Sequence, residues 1–146
     1  MAAIKQLFHI SAPRHTVYEA ISTVEGISKW WTKDTTGDGD PGGIMAFRFG
    51  NMGPDFKVTA QTEDKEVKWE CVAGFDDWIG TTITFYLDEN EGKTRVRFSH
   101  DNWKETGDHY AACNFSWARY MMSLRQLCET GVGAAYGSET YAKQLV

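Results

Sequence analysis

The chain has little proline and cysteine, 3 of each in 146 residues, no excess of positive charge and no long apolar run. Each scarcity excludes something. With 15 Lys and Arg against 20 Asp and Glu, the net charge is −5, so nucleic acid is not expected as a partner, because phosphate binding needs a basic surface. No stretch approaches the ~18 apolar residues that a spanning helix needs, and the first residues show no apolar signal-peptide region. No membrane partner is therefore expected, and a cytoplasmic location is. Cys71, Cys113 and Cys128 form neither CxxC nor CxxH, and an odd number fits a reducing compartment and small buried side chains. GxSxG and P-loop motifs do not occur, which removes the commonest hydrolase and NTPase readings. His9, His15 and His109 fall on a strand, a helix and a helix start without a metal-ligand pattern. Asp38 and Asp40 suggest a calcium loop, but counting from Asp34 the residue where its glutamate belongs is Met45. Neither a metal nor a cofactor is expected.

What the chain has in quantity is aromatic mass, 14% of residues with 6 Trp, in a composition that is 42% hydrophobic and 24% charged. That balance is globular, and the length suits one domain. Each large ring buries roughly 150–250 Å², more than a minimal core requires, so the interior should be wide.

Residues 3–11 read as a strand with Ile4, Phe8 and Ile10 on one face. Ser11 or its turn then caps, and Pro13 opens, an amphipathic helix over 13–24. Gly26 ends it, and Ile27–Trp31 forms a second short helix in which Trp30 and Trp31 point about 100° apart, with one ring at the rim of the interior. The Gly- and Asp-rich stretch 33–43 reads as a loop. Strands follow at 44–50, 56–62, 66–73, 78–88 and 93–100 with short turns between them, the pattern of an antiparallel meander. Val67, Trp69 and Cys71 share one face, and so do Ile79, Thr81, Ile83, Phe85 and Leu87; Arg95 and Arg97 face the other way. From Asp108 to Glu129 no Pro or Gly intervenes, and Gly131 suits a helix C-cap. Tyr110, Asn114, Trp117, Met121, Leu124 and Cys128 make its stripe. Residues 1–131 form the single domain, and 132–146, rich in small residues, a loosely held tail.

The expected fold class is α+β: a curved antiparallel sheet of about six or seven strands gripping a long C-terminal helix, with two short helices after the first strand. One helix is about 10–12 Å across, so a sheet this wide must curl around it.

Several segments resemble the START-like superfamily, also called helix-grip or birch-pollen-allergen-like: Ile10-Ser11-Ala12-Pro13 with Val17-Tyr18-Glu19-Ala20, Gly26-Ile27-Ser28-Lys29-Trp30-Trp31, Thr94 to Trp103, and Trp117 with Leu124 and Gly131. The second and third are similar to the branch related to the activator of heat-shock-protein-90 ATPase. Asn114-Phe115-Ser116 stands where that pattern has Gly before Trp117. The resemblance implies a sheet gripping a helix around an apolar cavity, in proteins that range from lipid carriers to cyclases and co-chaperones; fold does not fix function.

The leading expectation is therefore binding of an apolar or amphipathic small molecule in an internal cavity. Phe47, Trp69, Phe85, Tyr110, Asn114, Trp117 and Met121 should line it, with Trp31 near the entrance and His100 at the mouth. Tyr110 and Asn114 would be its polar groups, Asn114 as a buried amide. A co-chaperone-like interaction domain with a chaperone partner is the first alternative. A cyclase or hydrolase using His100 is the second, although His100 reads better as structural than as catalytic. No catalytic residue is assigned, the enzyme question leans to no, and a homodimer is left open. The readings separate by observation: a binder has an apolar pocket, an interaction module a filled core with apolar residues outside, and an enzyme His100 bonded to a carboxylate.

Overall fold

The computed structural model describes residues 2–144. Among them, seven strands form one sheet: β1 (Ala2–Ile10), β2 (Asp34–Gly37), β3 (Ile44–Arg48), β4 (Asp55–Thr62), β5 (Glu66–Ala73), β6 (Thr82–Asn90) and β7 (Lys93–Trp103). The helices are α1 (Arg14–Ser22), α2 (Val24–Ile27), α3 (Asp108–Thr130) and α4 (Glu139–Gln144). The sheet order is β1-β7-β6-β5-β4-β3-β2, antiparallel throughout. The first strand closes the meander by pairing with the last, Ile4 opposite His100 and Ile10 opposite Thr94.

Alternation decides the buried face. Val67, Trp69, Cys71, Ile83, Phe85, Leu87, Val96 and Phe98 point inward, where Trp117 of α3 meets the Phe98 ring at 4.7 Å. Arg95 lies outside, bonded through two nitrogens to Asp88 at 2.8 and 2.7 Å. Burial along α3 runs Cys113, Trp117, Met121, Leu124, a stripe of three- and four-residue steps. The helix closes on Gly131 at φ 87°, whose N–H reaches the Leu127 carbonyl.

Several expectations need correction. Asp34–Gly37 is a strand, paired with β3 from Asp34 opposite Arg48 to Gly37 opposite Met45. An edge strand needs few packed side chains, so its Thr-Thr-Gly composition looks like a loop. Pro13 occupies the N-cap of α1 without a side-chain bond. The second helix lies earlier, at Val24–Ile27, with Thr23 Oγ1 accepting from the Gly26 N–H at 2.9 Å. Trp30 and Trp31 follow it in a turn with both rings buried, 6.2 Å apart and near parallel. The strand begun at Trp78 starts only at Thr82, and Ile79 is exposed in a turn.

The segment after Gly131 is fastened. Ala134 and Ala135 are buried. The Ala134 N–H donates to Ser123 Oγ, whose hydroxyl donates to the Trp30 carbonyl. The Tyr136 N–H donates to the Trp31 carbonyl, and the Tyr136 carbonyl accepts from Lys33 N–H. Gly133 permits this approach, since a Cβ there would lie 2.2 Å from the Lys29 carbonyl oxygen. Residues 145 and 146 of the expected tail lie outside the described residues.

Candidate functional site: a filled aromatic interior and its one-sided recess

The space between sheet and α3 is occupied by side chains. Trp31 is the hub: its ring lies 4.4 Å from Phe47, 5.0 Å from Trp117, 5.7 Å from Phe49 and 6.3 Å from Trp69. Trp69 continues to Phe85 at 5.5 Å, and Phe85 to Phe98 at 5.2 Å. These are the edge-to-face and offset separations at which aromatic rings attract one another.

Most residues expected to line a cavity are therefore brought together, but as core. Phe47, Trp69, Phe85, Trp117, Met121 and Trp31 are buried against one another. The two expected polar handles are elsewhere. Asn114 is exposed; the inward residue is its neighbour Cys113, about 100° around the helix, because the stripe phases from Trp117 back to 113. Tyr110 is half-buried and its hydroxyl donates to the Ala3 carbonyl at 2.9 Å, tying α3 to the edge of β1.

His100 sits fully buried at the end of β7 in a directional chain. The Trp117 indole N–H donates to His100 Nδ1 at 3.0 Å. That fixes Nδ1 as acceptor, so the proton is on Nε2, which faces Thr81 Oγ1 at 2.8 Å. The Thr81 hydroxyl in turn donates to the Trp78 carbonyl at 2.6 Å. Every donor in the chain has an acceptor. Burial, with the neighbouring His109 acting the same way and Asp77 opposing, pushes the imidazole down to about 3. Among the described residues no carboxylate is bonded to His100, so it has neither the orienting partner nor the accessible proton of a general base. Burial also pushes the Cys71 and Cys113 thiols up to about 11 and Cys128 to about 12, the range of inert thiols.

One recess of about 170 Å³ indents the interior beside α3, between Trp31, Phe49, Trp78, Trp117, Ser116 and Tyr120, with Cys113 at its wall. Neither Phe49 nor Trp78 was singled out by sequence reasoning. The alternation places Trp78 in a strand, whereas it lies in a turn and reaches back to α3, with its ring 6.3 Å from that of Trp117, through long-range contacts that no periodicity reports.

On the surface, His15, which shows no ligand pattern in the sequence, gathers carboxylates from two segments. His15 Nδ1 lies 2.9 Å from Asp64 Oδ1 and its Nε2 3.0 Å from Glu19 Oε1, with Glu63 beside them. The His15–Glu19 spacing of four was visible in the sequence; Asp64 was not. The bond to Asp64, then its charge, raises the His15 pKa above 6.5. In an NMR titration His15 should therefore titrate above that value while His100 stays neutral down to about pH 4. A His100 titrating near 6.5 would refute its burial in this network.

A second groove, of about 490 Å³, crosses the outer face of the sheet along Leu7, Tyr86, Arg97, Lys5 and Asp101. Leu7 and Tyr86 flank Arg97 in one row across β1, β7 and β6, and they are 62% and 44% exposed.

A family profile described as Activator of Hsp90 ATPase homolog 1-like protein matches residues 11–129. No curated protein matches the chain. Among solved structures, the Aha1 dimer from Colwellia psychrerythraea is 42% identical, with a TM-score of 0.84 over 91% of this chain and 100% of that one. A Staphylococcus saprophyticus protein superposes with a TM-score of 0.74 at 19% identity, covering 92% of this chain and 97% of its own. CalU16 from Micromonospora echinospora does so at 0.73 and 14% identity, over 89% of this chain and 67% of its own. These last two share the fold. Among the described residues no helix is long and apolar enough to cross a membrane.

Proposed function

The chain belongs to the family of Activator of Hsp90 ATPase homolog 1-like proteins, and we propose that it acts as a protein-interaction domain that engages an Hsp90-type chaperone through the outer face of its sheet. The observation that supports this reading over an internal ligand cavity is the filled interior: Trp31, Phe47, Trp69, Phe85 and Trp117 occupy the place where such a cavity would lie. An enzymatic reading through His100 lacks a carboxylate partner among the described residues. What the fold offers is outside. Two apolar side chains, Leu7 and Tyr86, bracket Arg97, with Lys5 and Asp101 beside them, a mix of apolar, aromatic and arginine anchors found at protein interfaces.

The test is the ATPase turnover of the Hsp90 from the same cell, measured with and without the purified chain. A severalfold stimulation is expected, and the Leu7→Asp/Tyr86→Asp double variant should lose at least about tenfold in apparent affinity, the loss typical of a central anchor. Phe115→Ser, at an exposed position on α3, should leave the stimulation unchanged. Absence of both stimulation and binding overturns the reading, and sensitivity to Phe115→Ser with none to the sheet variant overturns the face. As in the Colwellia relative, which is a dimer, the free chain should assemble in pairs, with a light-scattering mass twice 16.5 kDa.

A further inference from the structure

We propose that His15, Glu63 and Asp64 form a surface site for one divalent transition-metal ion, such as Zn²⁺. The proposal does not rest on the chaperone reading. The ligands come from two segments: His15 from the first turn of α1, Glu63 and Asp64 from the turn between β4 and β5. His15 and Asp64 are 49 positions apart, so no spacing along the chain shows a ligand pattern. In the folded chain one ligand atom from each of the three side chains lies within 4.8 Å of the other two. The closest pair, His15 Nδ1 and Asp64 Oδ1, is 2.9 Å apart. A tetrahedral zinc ion with bonds of about 2.0–2.2 Å sets its ligands about 3.4 Å apart, so small side-chain rotations close the site. One nitrogen and two carboxylate oxygens then hold the ion, and water takes the fourth position.

Charge and ring orientation support a cation of this class. Three carboxylates, Glu19, Glu63 and Asp64, surround one imidazole. Among the described residues no Lys or Arg forms an ion pair with any of them: Arg14, next to His15, turns to Glu89 at 3.5 Å, and Lys65, next to Asp64, pairs with none. The negative field reaches Tyr18, whose phenol is raised by burial and then by the charges of Glu63 and Asp64. The imidazole is also held for ligation. Its Nε2 lies 3.0 Å from Glu19 Oε1, one helical turn on, so Nε2–H donates to that carboxylate and Nδ1 faces Asp64. A carboxylate on the second ring nitrogen is how metal-ligating histidines are oriented. The ion takes the place of the proton between Nδ1 and Asp64, so binding releases a proton. An imidazole ligand selects Zn²⁺ and its neighbours; Mg²⁺ and Ca²⁺ take six or more oxygens, which two carboxylates do not supply. The bound ion joins the start of α1 to the β4–β5 hairpin.

The experiment titrates Zn²⁺, and separately Mg²⁺, into the full chain, followed by calorimetry and by ¹H–¹⁵N spectra that include the histidine rings. One Zn²⁺ should bind per chain, with the largest shifts at His15, Glu63 and Asp64, and Mg²⁺ should bind at least about a hundredfold more weakly. At about pH 6, below the ordinary histidine value, the heats in two buffers should show release of most of one proton per ion. His15→Gln and Asp64→Asn should each weaken Zn²⁺ at least about tenfold, since each removes one of three protein ligands. Asn tolerates the φ of 61° at position 64, so that variant changes the charge and keeps the turn. His109→Gln, at the other exposed histidine bonded to an aspartate, Asp77, should leave binding unchanged. Equal affinities for Zn²⁺ and Mg²⁺ would show a patch that collects cations without selecting them, and would overturn the proposal. So would shifts centred on His9 or His109, binding without proton release, full binding in the His15 and Asp64 variants, or no Zn²⁺ binding at millimolar concentration. Should His15→Gln not fold, Asp64→Asn and the shift map still decide it. Chaperone stimulation enters none of these readouts, so either proposal can fail alone.

Discussion

Trp31→Ala should lower the unfolding free energy by about 3–5 kcal/mol, the cost of truncating a large core aromatic, and leave a domain that is marginal at physiological temperature, since a whole domain is stable by only about 5–15 kcal/mol. The size of the effect follows from position. The Trp31 ring touches Trp30, Phe47, Phe49, Phe56, Trp69 and Trp117, and its backbone carbonyl holds Tyr136 of the C-terminal segment. Removing the ring opens a void that rigid neighbours on three sides cannot collapse. Urea unfolding followed by far-UV circular dichroism measures the loss. A cost below about 1.5 kcal/mol, the range of a volume-conserving swap, would show that the interior has slack and would return the internal-cavity reading to the front. Trp31→Phe should fall between the two.

The second large effect is on acid stability through His100. Its imidazole is held at about 3 in the folded chain and takes its ordinary value of about 6.5 when unfolded. Between those values the unfolded chain binds the extra proton, so stability rises with pH there and falls on acidification. The contribution is complete above about pH 6.5 and is lost progressively toward pH 3, with a slope that approaches ~1.4 kcal/mol per pH unit and a total of a few kcal/mol. His15, whose pKa is raised, acts in the opposite sense, its contribution being present at low pH and lost as pH rises through its folded value. The comparison of parent with His100→Gln isolates the buried group. The variant should be less stable at pH 7 by about 1–3 kcal/mol, because Trp117 and Thr81 lose partners, and its stability should fall less steeply below pH 6.5. Parallel curves for the two proteins over pH 4–7 would show that His100 does not resist protonation.

The reach of the sequence can be judged from single residues. Period-two alternation put Trp69, Phe85 and Phe98 on the inner face, and the uninterrupted run from Asp108 placed α3 within a residue of its end at Thr130. The same reasoning placed Asn114 inside. A helical stripe drawn from composition alone can be rotated by one residue, about 100°, and only contact with the sheet chooses Cys113 over Asn114. For His100 the sequence shows a place at the end of a strand, but its partners, Thr81 and Trp117, come from the turn before β6 and from α3.

What the amino-acid sequence determined by itself is the order of the longer elements, β1, α1, β3 to β7 and α3, because backbone period, turn residues and capping are local properties of a chain of 146 residues; the short edge strand β2, the place of α2 and the helix α4 depend on long-range contacts. With the longer elements came the α+β class, a curved antiparallel sheet gripping a long C-terminal helix. What the tertiary structure alone decided is whether the interior is a cavity or a core. That is a matter of volume. Summed ring size says how much apolar mass there is, whereas the curl of the sheet and the turn that carries Trp30 and Trp31 say how much space it must fill. Here the two tryptophans turn inward together, and the C-terminal segment is bonded over them at Trp30, Trp31 and Lys33. The rings meet at contact distance, and the free volume is displaced to one small recess at the side of α3.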